Sequence, residues 1–273
     1  MDIRSILVNV DIDVKSSTAL KAALGLAEKF GAQIIAVAAD EPEMAYVGIE
    51  NGAAAADFYA IERGEIEKRL TASEADFRAL LPQGTRADWR PYVAPASQAL
   101  IENARCADLI ITSHETSSAI RAKNRVDLGE IVLGAGRPVI DLAEGATTVE
   151  TDKIVIGWKD TREARRAVAD ALPFLKRAKD VIAVTVSEGR RDVEQASLDD
   201  LRDWLGRHGV TMRQELAANE EGFIDVLEST ARAYQADLLI TGGYGHSRMR
   251  EWLFGGITRN LLQANTLNRF FSN

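Results

Sequence analysis

The sequence predicts an α/β protein made of two successive parallel-sheet units, and three observations predict it. The chain of 273 residues exceeds a single domain of common size. Its second half repeats its first. Within each half, apolar runs of strand length alternate with longer stretches of helical period, the pattern of β-α-β units closing a parallel sheet.

The repeat fixes the register. Ile6-Leu7-Val8-Asn9-Val10-Asp11 lies over Ile154-Val155-Ile156-Gly157-Trp158-Lys159, and the same register continues without a gap to Ile34–Val37 over Ile182–Thr185. It then changes once, after which Ala107-Asp108-Leu109-Ile110-Ile111-Thr112 matches Ala236-Asp237-Leu238-Leu239-Ile240-Thr241. The first half therefore carries extra residues, assigned to Asp40–Asp57 as a surface loop merging into a long helix. The polar, aperiodic stretch Glu144–Thr151 separates units at 1–145 and 151–273.

In the first unit, strands are predicted at Ile3–Val10, Gln33–Ala39, Arg86–Val93, Asp108–Thr112 and Pro138–Leu142, with helices at Ser17–Phe30, Ile61–Leu81 and Ala96–Cys106. In the second, strands are predicted at Lys153–Trp158, Asp180–Val186, Val210–Leu216 and Asp237–Thr241, with helices at Arg162–Arg177, Gln195–His208 and Gly222–Tyr234. The terminal Thr266–Asn273 lacks the proline and aliphatic run of Arg137–Asp141, so its strand is expected to be short or differently paired.

Directly after the strand ending at Thr241 come Gly242-Gly243-Tyr244-Gly245, and ten residues after Gly245 stands the pair Gly255-Gly256 before the helical Ile257–Ala264. Ligands of open parallel sheets sit beyond the carboxyl ends of strands. Glycines there let the backbone approach a phosphate, and a following helix N-terminus aims unpaired N–H groups at it. Turn-forming alone is the competing explanation. Neither a G-x-G-x-x-G dinucleotide fingerprint nor a G-x4-G-K-[ST] loop is present.

The spacing Gly242-x2-Gly245-x9-Gly255, in two copies spanning nearly the whole chain, resembles the universal stress protein family of the tandem bacterial type. The resemblance implies two Rossmann-like, adenine nucleotide alpha-hydrolase-type domains, each a mainly parallel five-stranded sheet flanked by helices. It implies ATP or ADP, with or without Mg2+, as ligand and a stress-response role. Carried over by position, the binding residues are Gly157, Lys159, Val186, Thr241, Gly242, Gly245, Gly255, Gly256, Ile257 and Thr258. Gly256 stands where the family has a hydroxyl residue, leaving Thr258 as an undecided substitute. Lys159 stands where the family has an aspartate, with Asp160 one step later. The first copy reads Ser113-His114-Glu115-Thr116 in place of the glycines, though Asp11 holds the acidic position, and is expected to be structural or to bind something else. The family also pairs domains through the last strand, which implies intramolecular pairing and leaves a homodimer open.

Net charge is −8 with no long basic cluster, so nucleic acid and anionic lipid are not expected partners. The N-terminus runs into a strand-like stretch without a leader pattern, and no apolar run reaches the roughly 18 residues of a membrane span, so a cytoplasmic protein is expected. Three histidines and one cysteine without ligand spacing predict no metal site. Cys106 is expected to be a partly buried structural thiol, His114 and His246 solvent-facing, and Lys176–Lys179 a solvated helix end. No nucleophile elbow or triad order assigns a catalytic residue. Two further functions remain: a tandem scaffold for an unknown protein partner that has lost nucleotide binding and, less favoured, a weak ATPase.

Overall fold

The computed structural model describes residues 2–12, 17–42, 52–113, 126–218, 223–243 and 266–273. The first half contains β1 (Ser5–Asn9), α1 (Thr18–Phe30), β2 (Gln33–Asp40), α2 (Gly52–Leu80), β3 (Ala87–Val93), α3 (Ala96–Asn103), β4 (Leu109–Ser113), α4 (Leu128–Gly134) and β5 (Val139–Leu142). The second contains β6 (Lys153–Gly157), α5 (Arg162–Leu175), β7 (Asp180–Val186), α6 (Arg191–Arg207), β8 (Arg213–Ala217), α7 (Phe223–Ala233), β9 (Leu238–Gly242) and β10 (Asn268–Ser272).

These strands form a single sheet in the order β3-β2-β1-β4-β5-β10-β9-β6-β7-β8. Every neighbouring pair is parallel except β5 with β10, whose antiparallel register sets Arg269 opposite Asp141 and Phe271 opposite Val139. Each half thus repeats one strand order, and the fifth strands join them. The parallel strands are covered on both faces, which is why Ile6–Val8, Ile34–Ala38, Ile154–Ile156 and Leu238–Ile240 read as unbroken apolar runs and are buried.

Helix boundaries follow local chemistry. Ser17 Oγ accepts the Leu20 N–H at 3.4 Å to open α1, which closes on Gly31 at φ 65°, a conformation open to glycine. Thr161 Oγ1 accepts the Ala164 N–H at 3.2 Å to open α5. α2 starts at Gly52, well before the predicted helix, and lies 29 residues long against 17 for its counterpart α6. The seven-residue α4 was not anticipated, since its short span includes Gly129 and Gly134.

One core lies beneath α1, α2, α5 and α6 and runs through both halves, from Leu26 and Phe77 to Phe174 and Phe270. On the other face there are two separate cores: Leu100 and Ile131 of the first half pack with Phe271 of the second in one, and Val155, Leu227 and Leu239 form the other. Phe174 bridges the shared core edge-on to Phe30 at 5.3 Å and to Phe270 at 5.9 Å.

Three expectations need correction. The terminal strand is neither short nor differently paired: β10 has five residues, pairs along its length with β9, and meets β5. Arg177 is not merely solvated, for its guanidinium lies 4.4 Å over the Phe30 ring and donates to the Lys29 carbonyl at 2.8 Å, tying the two halves. Cys106 is exposed, not partly buried, because it ends the turn after α3 on the surface. There the Arg90 guanidinium donates to its Sγ at 3.1 Å.

Candidate functional site in the second half

The chain reverses direction across the second-half sheet between β6 and β9, because β6 leads through α5 to β7 on one side while β9 arrives from the other. Such a switch point leaves a crevice at the carboxyl ends. Gly157 and Thr241 are register partners at those ends, Lys159 follows β6, and Gly242 ends β9. The capped N-terminus of α5 lies against them: a Cβ added to Gly242 would come within 2.5 Å of the Ala164 amide nitrogen and 2.7 Å of the Glu163 carbonyl carbon.

That contact gives Gly242 a steric reason to be glycine, since backbone cannot yield as a side-chain tip does. Gly157 has one too. Its absent Cβ leaves room for Leu227 of α7 and the Thr241 methyl, 2.7 and 3.0 Å from where the Cβ would stand. Gly243 abuts Val132 of α4 in the first half and donates its N–H to the Ser272 carbonyl at 2.7 Å. Val186 is buried, its side chain in the apolar core with Val226 and Leu227.

Electrostatics at the crevice are set by Lys159, whose ammonium meets Glu188 Oε1 at 2.6 Å. The turn after β7 is fixed by Glu194: Ser187 Oγ donates to it at 2.6 Å and the Glu188 amide at 2.8 Å. The Ser187 hydroxyl first, then this amide, holds the Glu194 carboxyl below the usual carboxylate range. Thr185 Oγ1 donates to the Trp158 carbonyl at 2.9 Å and clamps the ends of β6 and β7 together.

Thus Gly157, Lys159, Thr241 and Gly242 come together at the switch point, while Val186 contributes to the neighbouring core. Gly245, Gly255, Gly256, Ile257 and Thr258 lie outside the described residues, as do His114, Glu115, His246, Arg248, Arg250 and Trp252–Phe254.

Sequence reasoning missed the acid at the end of the second strand. In the sheet register Asp40 corresponds to Ser187, one residue before Glu188, because Val37 and Val184 pair with Asn9 and Gly157; the gap-free sequence register slips by one residue before β7. Asp40 is buried and ion-paired with Arg69 of α2, whereas Glu188 takes its cation from the loop after β6. Among the described residues no group of three or more His, Cys, Asp or Glu is placed to hold a metal, and no helix is long and apolar enough to cross a membrane.

Among solved structures, a universal stress protein from Archaeoglobus fulgidus DSM 4304 matches with a TM-score of 0.70 at 14% identity, over 100% of this chain and 97% of that one. The chain has the universal stress protein fold. A putative universal stress protein from Pseudomonas aeruginosa UCBPP-PA14 shares it at TM-score 0.60 and 18% identity, over 99% of this chain and 93% of the other. A functionally unknown protein from Pseudomonas aeruginosa PAO1 does so at 0.59 and 18%, over 99% and 92%. No family model and no curated protein matches the sequence. Within this universal stress protein fold, the second half of the chain carries the Lys159–Glu188 pair and the packed glycines.

Proposed function

We propose that the chain is a tandem universal stress protein whose second unit, 151–273, holds ATP or ADP, with or without Mg2+, at the carboxyl ends of β6 and β9. The first unit, 1–145, is structural in this reading, and bound nucleotide alters contacts with a protein partner in a stress response. The observation that carries it is the convergence of Gly157, Lys159, Thr241 and Gly242 with the N-terminus of α5 at the switch point, directly before the run to Gly245 and Gly255. The run supplies backbone donors, and Lys159 supplies a cation once it leaves Glu188.

The test is calorimetric titration of the purified chain with ATP and Mg2+, repeated with Gly245→Asp. Saturable binding that disappears in the variant supports the reading, because the new carboxylate opposes phosphate. No heat at millimolar ATP overturns it.

One observation favours the scaffold instead. Gly157 and Gly242 are accounted for by packing against α7 and α5, with no ligand needed to explain them. On that reading the sheet junction presents both halves to a protein partner, and ATP leaves the thermal midpoint unchanged.

A further inference from the structure

The same groove occurs twice, once between α1 and α2 and once between α5 and α6, and only one copy is open. Val10 and Trp158 each follow the first strand of their half, and Ser17 lies over Arg165 in the repeat register. Phe77 and Trp204 each stand three residues before the last residue of their helices, Leu80 and Arg207. By the same count Arg69 corresponds to Ala196.

In the first half the groove is filled to about 250 Å3. Phe77 is 1% exposed and packs on Trp89 at 5.2 Å, while Arg69 spans to Asp40. In the second half alanine stands in place of the arginine, at Ala196, and the groove opens to about 730 Å3. That volume lies in the range of about 300–1,000 Å3 common to small-molecule sites.

Its lining is specific. The Trp158 ring is held by its own N–H, which donates to Ser197 Oγ at 2.9 Å, and the half-buried Trp204 leans on His208 with ring centroids 4.2 Å apart. At the mouth, Arg165 is paired with Asp160 at 2.7 Å and Asp203 with Arg202 at 3.0 Å. Asp200 and Arg207 also line the opening, two helical turns apart on α6, and neither has an ion-pair partner among the described residues. Two indoles beside one separated acid and base match a flat ring carrying both charges.

We infer that the α5–α6 groove binds a small aromatic zwitterion of the amino-acid type, its ring against Trp204, its carboxylate on Arg207 and its ammonium on Asp200. The groove shares no lining residue with Gly157, Lys159, Thr241 and Gly242, and the inference does not rest on the nucleotide reading.

The experiment is calorimetric titration of the whole chain with L-phenylalanine, with phenylacetate and phenethylamine as single-charge probes. L-phenylalanine should bind saturably with one site per chain, and Arg207→Ala and Asp200→Asn, both on the surface, should each weaken it about tenfold. Each single-charge probe should bind more weakly than L-phenylalanine. The double variant Ala196→Arg/Trp204→Phe, which installs the first-half side chains, should abolish binding. Absence of saturation by 10 mM, about the weakest useful affinity, overturns the inference, as does undiminished binding in Arg207→Ala. Displacement by ATP, together with loss in Gly245→Asp, assigns the binding to the crevice and also overturns it.

Discussion

Asp40 ends β2 and Glu188 lies two residues past β7, one residue on from the position that corresponds to Asp40, and these two acids near the ends of the second strands are neutralised from opposite directions. Asp40 receives Arg69 from α2 and is buried with it, its side chain 4% exposed, whereas Glu188 receives Lys159 from the strand loop and stays 48% exposed. In the first half the cation comes from the helix, and Arg69 lines the narrower groove. In the second it comes from the loop, the groove is wider, and the cation stands at the switch-point crevice. A duplicated fold can thus place an acid near the same strand end in each half, draw its cation from a different element, and leave different cavities accessible.

The largest effect should come from breaking the first pair. Arg69→Ala leaves the Asp40 carboxylate in a buried site and should cost about 3 kcal/mol in urea unfolding, while Lys159→Ala should cost less than about 1 kcal/mol because its pair is solvated. Equal losses would remove the distinction between the two acids. Next comes the glycine contact at α5. Gly242→Ala drives a methyl into the Ala164 and Glu163 backbone and should cost about 2 kcal/mol, whereas Ser113→Gly, at the corresponding first-half position, should shift stability by less than about 1 kcal/mol.

A smaller effect concerns the cation at the crevice. Glu188→Gln releases Lys159 from its carboxylate and should tighten ATP binding severalfold at low ionic strength, with the gain fading as salt rises; calorimetry at two salt concentrations reads this directly. The smallest is a pH effect. Glu194 has a depressed folded value, so its stabilisation is present above the unfolded value of about 4.3 and is lost as pH falls through the lower folded one. The difference in thermal midpoint between the parent and Glu194→Gln should be present at pH 6 and shrink toward pH 3.

Much of the sheet was legible because its strands are buried on both faces and their apolar runs repeat. β10 was harder to read for a physical reason. Asn268, Arg269 and Ser272 are polar, yet all three are buried and bonded: Asn268 accepts the Ala143 N–H at 2.9 Å, Arg269 meets Glu228 at 2.5 Å, and Ser272 donates to Asp170 at 2.6 Å. Local sequence carries no sign that these partners, each far away in the chain, will complete the strand. The crevice was legible in part for a similar reason. Gly157 and Thr241 could be placed by strand ends alone, but the Lys159–Glu188 pair and the Leu227 contact at Gly157 depend on how loops and α7 settle on the sheet.

The antiparallel seam between β5 and β10 has a geometric consequence. Because strands within each half run parallel and the halves run opposite ways, the two switch-point crevices open toward opposite ends of the sheet. A ligand entering one approaches from the side facing away from the other. A single rigid partner docking squarely on one crevice therefore leaves its twin uncovered, and a partner that senses both has to wrap around the molecule or arrive as two bodies.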